Sequence, residues 1–225
     1  LDRTGASFEK SYASILERLS TKAVRAQLPI GLEAEFSGII DLLTMKAYRF
    51  SGDMGQTVTT EEIHDAHQEE AKKFRAQFVE RIVENDDKMM NDYLEGKDIP
   101  VADLKTMLRK SVIANHIFPV LCGSSLKNKG VQLVLDAVVD YLPSPVDMPA
   151  AKGINTDTGA EETRESSDTA PFSALVFKLQ VDPFVGALSF FRVYSGFVSA
   201  GDFVYNSANN KKERLGRIVR LQADK

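Results

Sequence analysis

One cysteine in 225 residues leaves no partner for an internal disulfide, and Cys122, set in an apolar run, reads as a small buried hydrophobe. No apolar run approaches the ~20 residues that cross a bilayer, so no membrane-spanning helix is expected. There is no surplus of positive charge either. Lys and Arg number 28 against 32 Asp and Glu, a formal net charge of -4, so any RNA contact has to come from a local patch. The pattern Gly-x-x-x-x-Gly-Lys-Ser/Thr is absent, and no other glycine-rich loop follows a strand near the start. The sequence therefore offers no cradle, with its Lys, for the β- and γ-phosphates of a nucleotide or their Mg²⁺. No internal repeat is found. The chain opens Leu1-Asp2-Arg3-Thr4 without a signal or transit pattern, and the expected setting is the cytosol or an organelle matrix. What remains is an ordinary globular composition, 43% apolar and 27% charged, long enough for one large domain or two small ones.

The most informative stretch lies past the middle. Ile117-Phe-Pro-Val-Leu-Cys122 is a short apolar run, Gly123-Ser124-Ser125-Leu126 a turn of small and polar residues, and Val131, Val134, Leu135, Val138, Val139 and Leu142 recur at helical spacing until Pro143. That is strand, loop and amphipathic helix, the unit of an α/β sheet. Ligands of such sheets sit beyond the carboxyl ends of the strands, which is where Gly123 to Leu126 falls. Taken alone, the pattern is more often that of a plain connection.

Its wording is more specific. Cys-Gly-Ser-Ser-Leu-Lys-Asn-Lys-Gly-Val-Gln, followed by Leu-Asp-Ala-Val-Val-Asp-Tyr-Leu-Pro-Ser-Pro, resembles the end of the GTPase domain of translation elongation factor G. The resemblance implies that the loop at Ser124, Ser125 and Leu126 reads a guanine base through backbone N–H groups facing O6. Ser125 stands where the family usually has Ala, which a backbone contact tolerates. The opening Asp2-Arg3-Thr4-Gly5-Ala6 resembles the family's Asn-Lys-x-Asp-Arg-Thr-Gly-Ala, in which the Asp carboxylate accepts from guanine N1 and N2. Two acceptors facing two donors is a match that adenine cannot make. Without that context, Asp2 or Thr4 is as readily a cap for the helix whose face carries Phe8, Tyr12, Ile15, Leu16 and Leu19.

From Ala23 to Phe50 the pattern is strand-like, with a hairpin formed by Ala34–Leu43 and Thr44–Phe50. Thr59 and Glu62 read as a capping box for a helix with Ile63, Ala71, Phe74, Phe78 and Ile82 inside. Helices are also expected near Asp87–Leu94 and Val101–Ala114. His64 and His67, near Glu61, Glu62 and Asp65, lack a third ligand from another element, and no metal site is expected. The mixed charges from Glu69 to Arg81 suit a solvated helix face, which is also what a flexible partner would use. The resemblance makes 23–115 an α+β insert within the GTPase domain, lying near the ribosomal stalk proteins.

A linker rich in Pro, Gly, Ser, Thr and acid covers 146–170, with a hairpin or loop over Gly153–Ser167. From Pro171 the period becomes two: Phe172–Gln180, a turn at Asp182-Pro183, Ala187–Tyr194, Phe203–Tyr205 and a last strand Arg214–Leu221. Arg192-Val-Tyr-Ser-Gly196 with Gly201-Asp202 resembles the antiparallel barrel that follows the GTPase domain in translation factors. Lys211, Lys212, Arg214, Arg217 and Arg220 form a basic cluster. It is either a solubilising edge or, by the resemblance, a phosphate contact with ribosomal RNA.

The expected fold is thus α/β over 1–145, the C-terminal part of a P-loop GTPase domain with its insert, then a partial antiparallel β-barrel over 171–225. The implied parent protein hydrolyses GTP to GDP, with Mg²⁺, while driving ribosomal translocation. This chain alone is expected to bind no cofactor, to be catalytically inactive, and to be monomeric with an open barrel edge. The alternatives are a ribosome-protection or release-type relative and a non-enzymatic module docking on ribosome or stalk.

Overall fold

The computed structural model describes residues 1–182 and 186–220, so the Asp182-Pro183 turn and Leu221 fall wholly or partly outside the described residues. The chain divides into two compact units, Leu1–Leu142 and Pro143–Lys225.

In the first unit, α1 (Phe8–Arg18) starts where Ser7 Oγ accepts from the Lys10 N–H at 3.3 Å. Ser7 is therefore the cap, and neither Asp2 nor Thr4 is used up in that role. The short strand β1 (Ala23–Arg25) leaves the antiparallel run expected around it. A separate sheet then follows: β2 (Gln27–Ile30), β3 (Gly38–Asp41), β4 (Lys46–Ser51) and β5 (Thr57–Glu61) are antiparallel neighbours in that order. Helices α2 (Asp65–Val83), α3 (Asp87–Leu94) and α4 (Val101–Ile113) come next. Then β6 (Phe118–Val120) returns to pair in parallel with β1, Val24 opposite Pro119. Finally α5 (Val131–Tyr141) closes the unit. Strand β1 pairs with β6, and the four-stranded antiparallel sheet begins at Gln27.

The capping box is a second correction. Thr59 lies opposite Arg49 in β5, and α2 begins only at Asp65, where His64 Nδ1 accepts from the Ala66 N–H at 3.2 Å. Strand β5 is polar on both faces at the sheet edge, with only Val58 half-buried, so it carries no hydrophobic alternation to read.

The core belongs to this unit. Ile39, Ile40 and Leu42, Phe78, Ile82 and Val83 of α2, and Leu104 and Leu108 of α4 are all buried. By contrast α5 has no fully buried residue, and its Leu135, Val138 and Val139 are exposed.

In the second unit, the stretch expected as a linker holds β7 (Ala151–Ile154) and β8 (Glu161–Arg164), an antiparallel pair. Next, β9 (Ser173–Asp182) pairs with β10 (Gly186–Ser195), with register shifts after Phe190 and after Val193. Last, β11 (Phe203–Asn206) pairs with β12 (Lys211–Arg214), so the final strand precedes the Arg214–Leu221 expected for it. Among the described residues these are three separate two-stranded ribbons, not one continuous sheet. Leu175, Phe177, Leu179, Val181 and Phe203 accordingly remain exposed.

Candidate functional site

Beyond β6, the chain turns through a tight hairpin. Ser124 and Lys129 face each other, the Ser124 N–H donating to Lys129 O at 2.8 Å and the Lys129 N–H returning to Ser124 O at 3.0 Å. The turn between them closes when the Asn128 N–H donates to Ser125 O at 3.1 Å, with Asn128 left-handed at φ 51°. Gly130 then enters α5 at φ 86°. A Cβ there would lie 2.5 Å from Ile39 Cδ1 and 2.9 Å from Cys122 O, so only glycine fits.

The start of the chain is brought against this hairpin across 122 residues. The Leu1 nitrogen donates to Gly123 O at 2.8 Å, and Ser124 Oγ donates to Asp2 Oδ1 at 2.6 Å. Lys127 Nζ stands 3.8 Å from Asp2 Oδ2. The Ser124 hydroxyl, foremost, holds the Asp2 carboxyl below the usual carboxylate range. The result is a charged acceptor pinned in place by one hydroxyl, with its second oxygen turned toward the Lys127 side of the hairpin.

The residues singled out in the loop take different parts. The Ser124 amide is consumed inside the hairpin, and its side chain orients Asp2. Among the described residues, neither the Ser125 nor the Leu126 amide has a hydrogen-bond partner, and Leu126 is 73% exposed. A fixed carboxylate beside two open N–H donors can receive a planar group with donors on one edge and an acceptor on the next. Lys127 lies within the quoted stretch, directly after the three loop residues, but the resemblance gives it no role. Glu33, which also bonds this site, carries no motif at all.

Cys122, just before the hairpin, is buried, and burial pushes its thiol up to about 12. A disulfide thiol reagent at pH 8 should leave the native chain unlabelled and titrate one thiol once denaturant unfolds it. Rapid labelling of the native chain would show that the strand end is open.

The basic residues of the second unit are separately placed. Lys211, Lys212 and Arg214 lie on β12, where alternation sets Lys212 and Arg214 on the face opposite Lys211. Arg217 and Arg220 follow outside any strand, and all five are exposed. Arg214 Nε donates to Gly201 O at 3.3 Å.

Residues 171–225 match the family model for elongation factor G domain 2. A crystal structure from Thermus thermophilus is similar to nearly the whole chain, at 25% sequence identity and a TM-score of 0.70 over 94% of this chain. The second unit therefore carries an elongation factor G domain 2 over residues 171–225. It spans 28% of the length of the Thermus structure. The elongation factor G family is one of translational GTPases; the first unit here is mixed α/β and the second is made of antiparallel ribbons. No helix among the described residues is long and apolar enough to cross a membrane.

Proposed function

We propose that Leu1–Leu142 is the base-reading end of a GTPase domain, carrying its insert, in an elongation factor that promotes ribosomal translocation. One observation carries this reading. The Asp2 carboxylate, free of any capping duty, is held by Ser124 Oγ at 2.6 Å beside the open amides of Ser125 and Leu126. Guanine has N1–H and N2–H₂ on the edge an Asp would meet, and O6 next to them for the two amides. Ser124 acts as support for Asp2 and not as a donor to O6.

The parallel pair of β1 and β6, with α5 presenting apolar side chains to solvent, supports the assignment to part of a larger α/β sheet. Asp2 with the Ser125 and Leu126 amides suits the base, and the sequence given carries no phosphate-loop motif. Calorimetric titration tests the reading. The expected outcome is weak heat with GDP and none with ADP; equal binding of the two would rule out base reading at this site.

The exposed cations of the second unit favour a supporting role, contact with ribosomal RNA phosphates. Replacing Lys212 and Arg214 by Glu should then flatten the salt dependence of binding to small-subunit ribosomal RNA, by about 0.7–0.9 in slope for each phosphate no longer neutralised. An unchanged slope would make the cluster a solubilising edge only. The insert, with Lys72 paired to Glu69 and Arg81 to Glu84 along α2, is the proposed face toward the stalk proteins. A ribosome-protection or release-type relative, or a docking module without nucleotide, are the competing readings, and GDP selectivity excludes the last. A cytoplasmic or organellar-matrix setting follows from the translational role.

A further inference from the structure

The turn that carries Asp2 is not secured by the helix after it. Inside the turn, the Ala6 N–H donates to Arg3 O at 3.0 Å. The bonds that fix its place come from a loop of the insert, 28 residues away. The Glu33 N–H donates to Leu1 O at 2.9 Å, and Glu33 Oε1 accepts from the Gly5 N–H at 2.7 Å. One residue thus grips the chain on both sides of Asp2, at residue 1 with its backbone and at residue 5 with its side chain.

Glu33 does this in a left-handed conformation, φ 54°, which a residue other than glycine adopts only when its surroundings impose it. The loop imposes it. Gly31, at φ 76°, is wound so tightly that a Cβ would lie 2.1 Å from Glu35 O. The same loop reaches the other half of the site: Lys129, opposite Ser124 in the hairpin, donates through Nζ to Phe36 O at 2.9 Å. Phe36 is itself buried in the core and cannot yield. A second loop of the insert closes on the hairpin's far side, with Gln132 Nε2 donating to Gly55 O at 3.2 Å. Both halves of the site are therefore referenced to one inserted sheet.

Resting on the base-reading assignment above, we infer that Glu33 is a positioning residue for guanine recognition, setting the Asp2 carboxylate in register with the Ser125 and Leu126 amides. It touches no ligand itself. Its side chain acts by accepting one N–H, which a glutamine Oε1 can also do and an alanine cannot.

The test is two-dimensional NMR of the 225-residue chain titrated with GDP and, separately, ADP, for the native sequence, Glu33→Ala, Glu33→Gln and Asp2→Asn. Glu33 is only half-buried, so the core survives either substitution. Glu33→Ala should weaken the GDP-selective response on the order of tenfold, the worth of one hydrogen bond to a charged group, and speed hydrogen exchange at the Gly5 amide. Glu33→Gln should restore both, at an unchanged melting temperature. If Gly5 exchange rises in Glu33→Ala while GDP affinity stays native, the positioning role is wrong and the base reading stands. If the native chain and Asp2→Asn respond alike to GDP and ADP, the base reading fails and the role of Glu33 with it.

Discussion

Asn in place of Asp2 should cost this chain its preference for GDP and hand it to xanthosine diphosphate. Asp2 presents only acceptors, which suits N1–H and N2–H₂ of guanine. An asparagine turns one acceptor into an N–H₂ donor, which meets guanine's amino group unfavourably and xanthine's C2 carbonyl favourably. Ser124 Oγ donates to Asp2 Oδ1, a bond that an asparagine Oδ1 can keep, so the new side chain stays in place and the change is one of chemistry alone. Two hydrogen bonds to a charged group are at stake, and the loss of GDP affinity should be on the order of 100-fold, measured by competition between the two diphosphates. Equal weakening toward both would mean that Asp2 holds the turn and does not read the base. The pH dependence has a definite sign. A carboxyl depressed in the folded chain keeps its charge to lower pH than a free aspartate does. GDP selectivity should accordingly persist to lower pH than the ionisation of a free aspartate; a decline that tracked a free aspartate would show that Ser124 does not hold the carboxylate in solution.

The second large effect concerns stability. Phe78→Ala removes a ring that is 2% exposed on α2, in the one hydrophobic core found among the described residues. Large-to-small changes of this kind cost about 3–5 kcal/mol, since the cavity adds to the lost burial. Helix α2 packs against α3, α4 and β1, and the loop bearing Glu33 rests on the same core through Phe36. The first unit should therefore unfold in urea at a markedly lower midpoint and take the Asp2–Ser124 contact with it. A midpoint within the error of the native chain would mean that α2 and the helices packed on it are not part of the folding unit that forms the site.

How much was legible follows from the physics of each segment. The strand, loop and helix over Ile117–Leu142 could be read because an apolar run, small turn residues and a 3.6-residue period abut one another. Helix α4 showed its period in the same way, through Leu104, Leu108 and Val112. Strand β5 could not be read, because an edge strand that buries almost nothing has no alternation, and Thr59 with Glu62 imitates a helix start. The cap at Ser7 lost to Asp2 and Thr4 because all three residue types cap equally well and only the chain's path chooses. The three-residue β1 was absorbed into its neighbours, since its partner β6 lies some 95 positions on and no local signal encodes a parallel pair. In the site, Asp2 and the Ser124–Leu126 loop were legible by resemblance, and their contact was not. That Ser124 spends its amide inside the hairpin depends on the turn closing at Lys129. Glu33 had no signal, because its bonds to Leu1 and Gly5 exist only once its loop folds back on the turn.

Guanine reading is tested most directly by which amides GDP moves. In a two-dimensional NMR titration of this chain, GDP should shift Ser125 and Leu126 and the residues flanking Asp2, weakly and without saturating at low concentration, while ADP leaves them in place. Identical shifts from both nucleotides, or GDP shifts elsewhere with Ser125 and Leu126 unmoved, would contradict a guanine-reading site built from Asp2 and this hairpin.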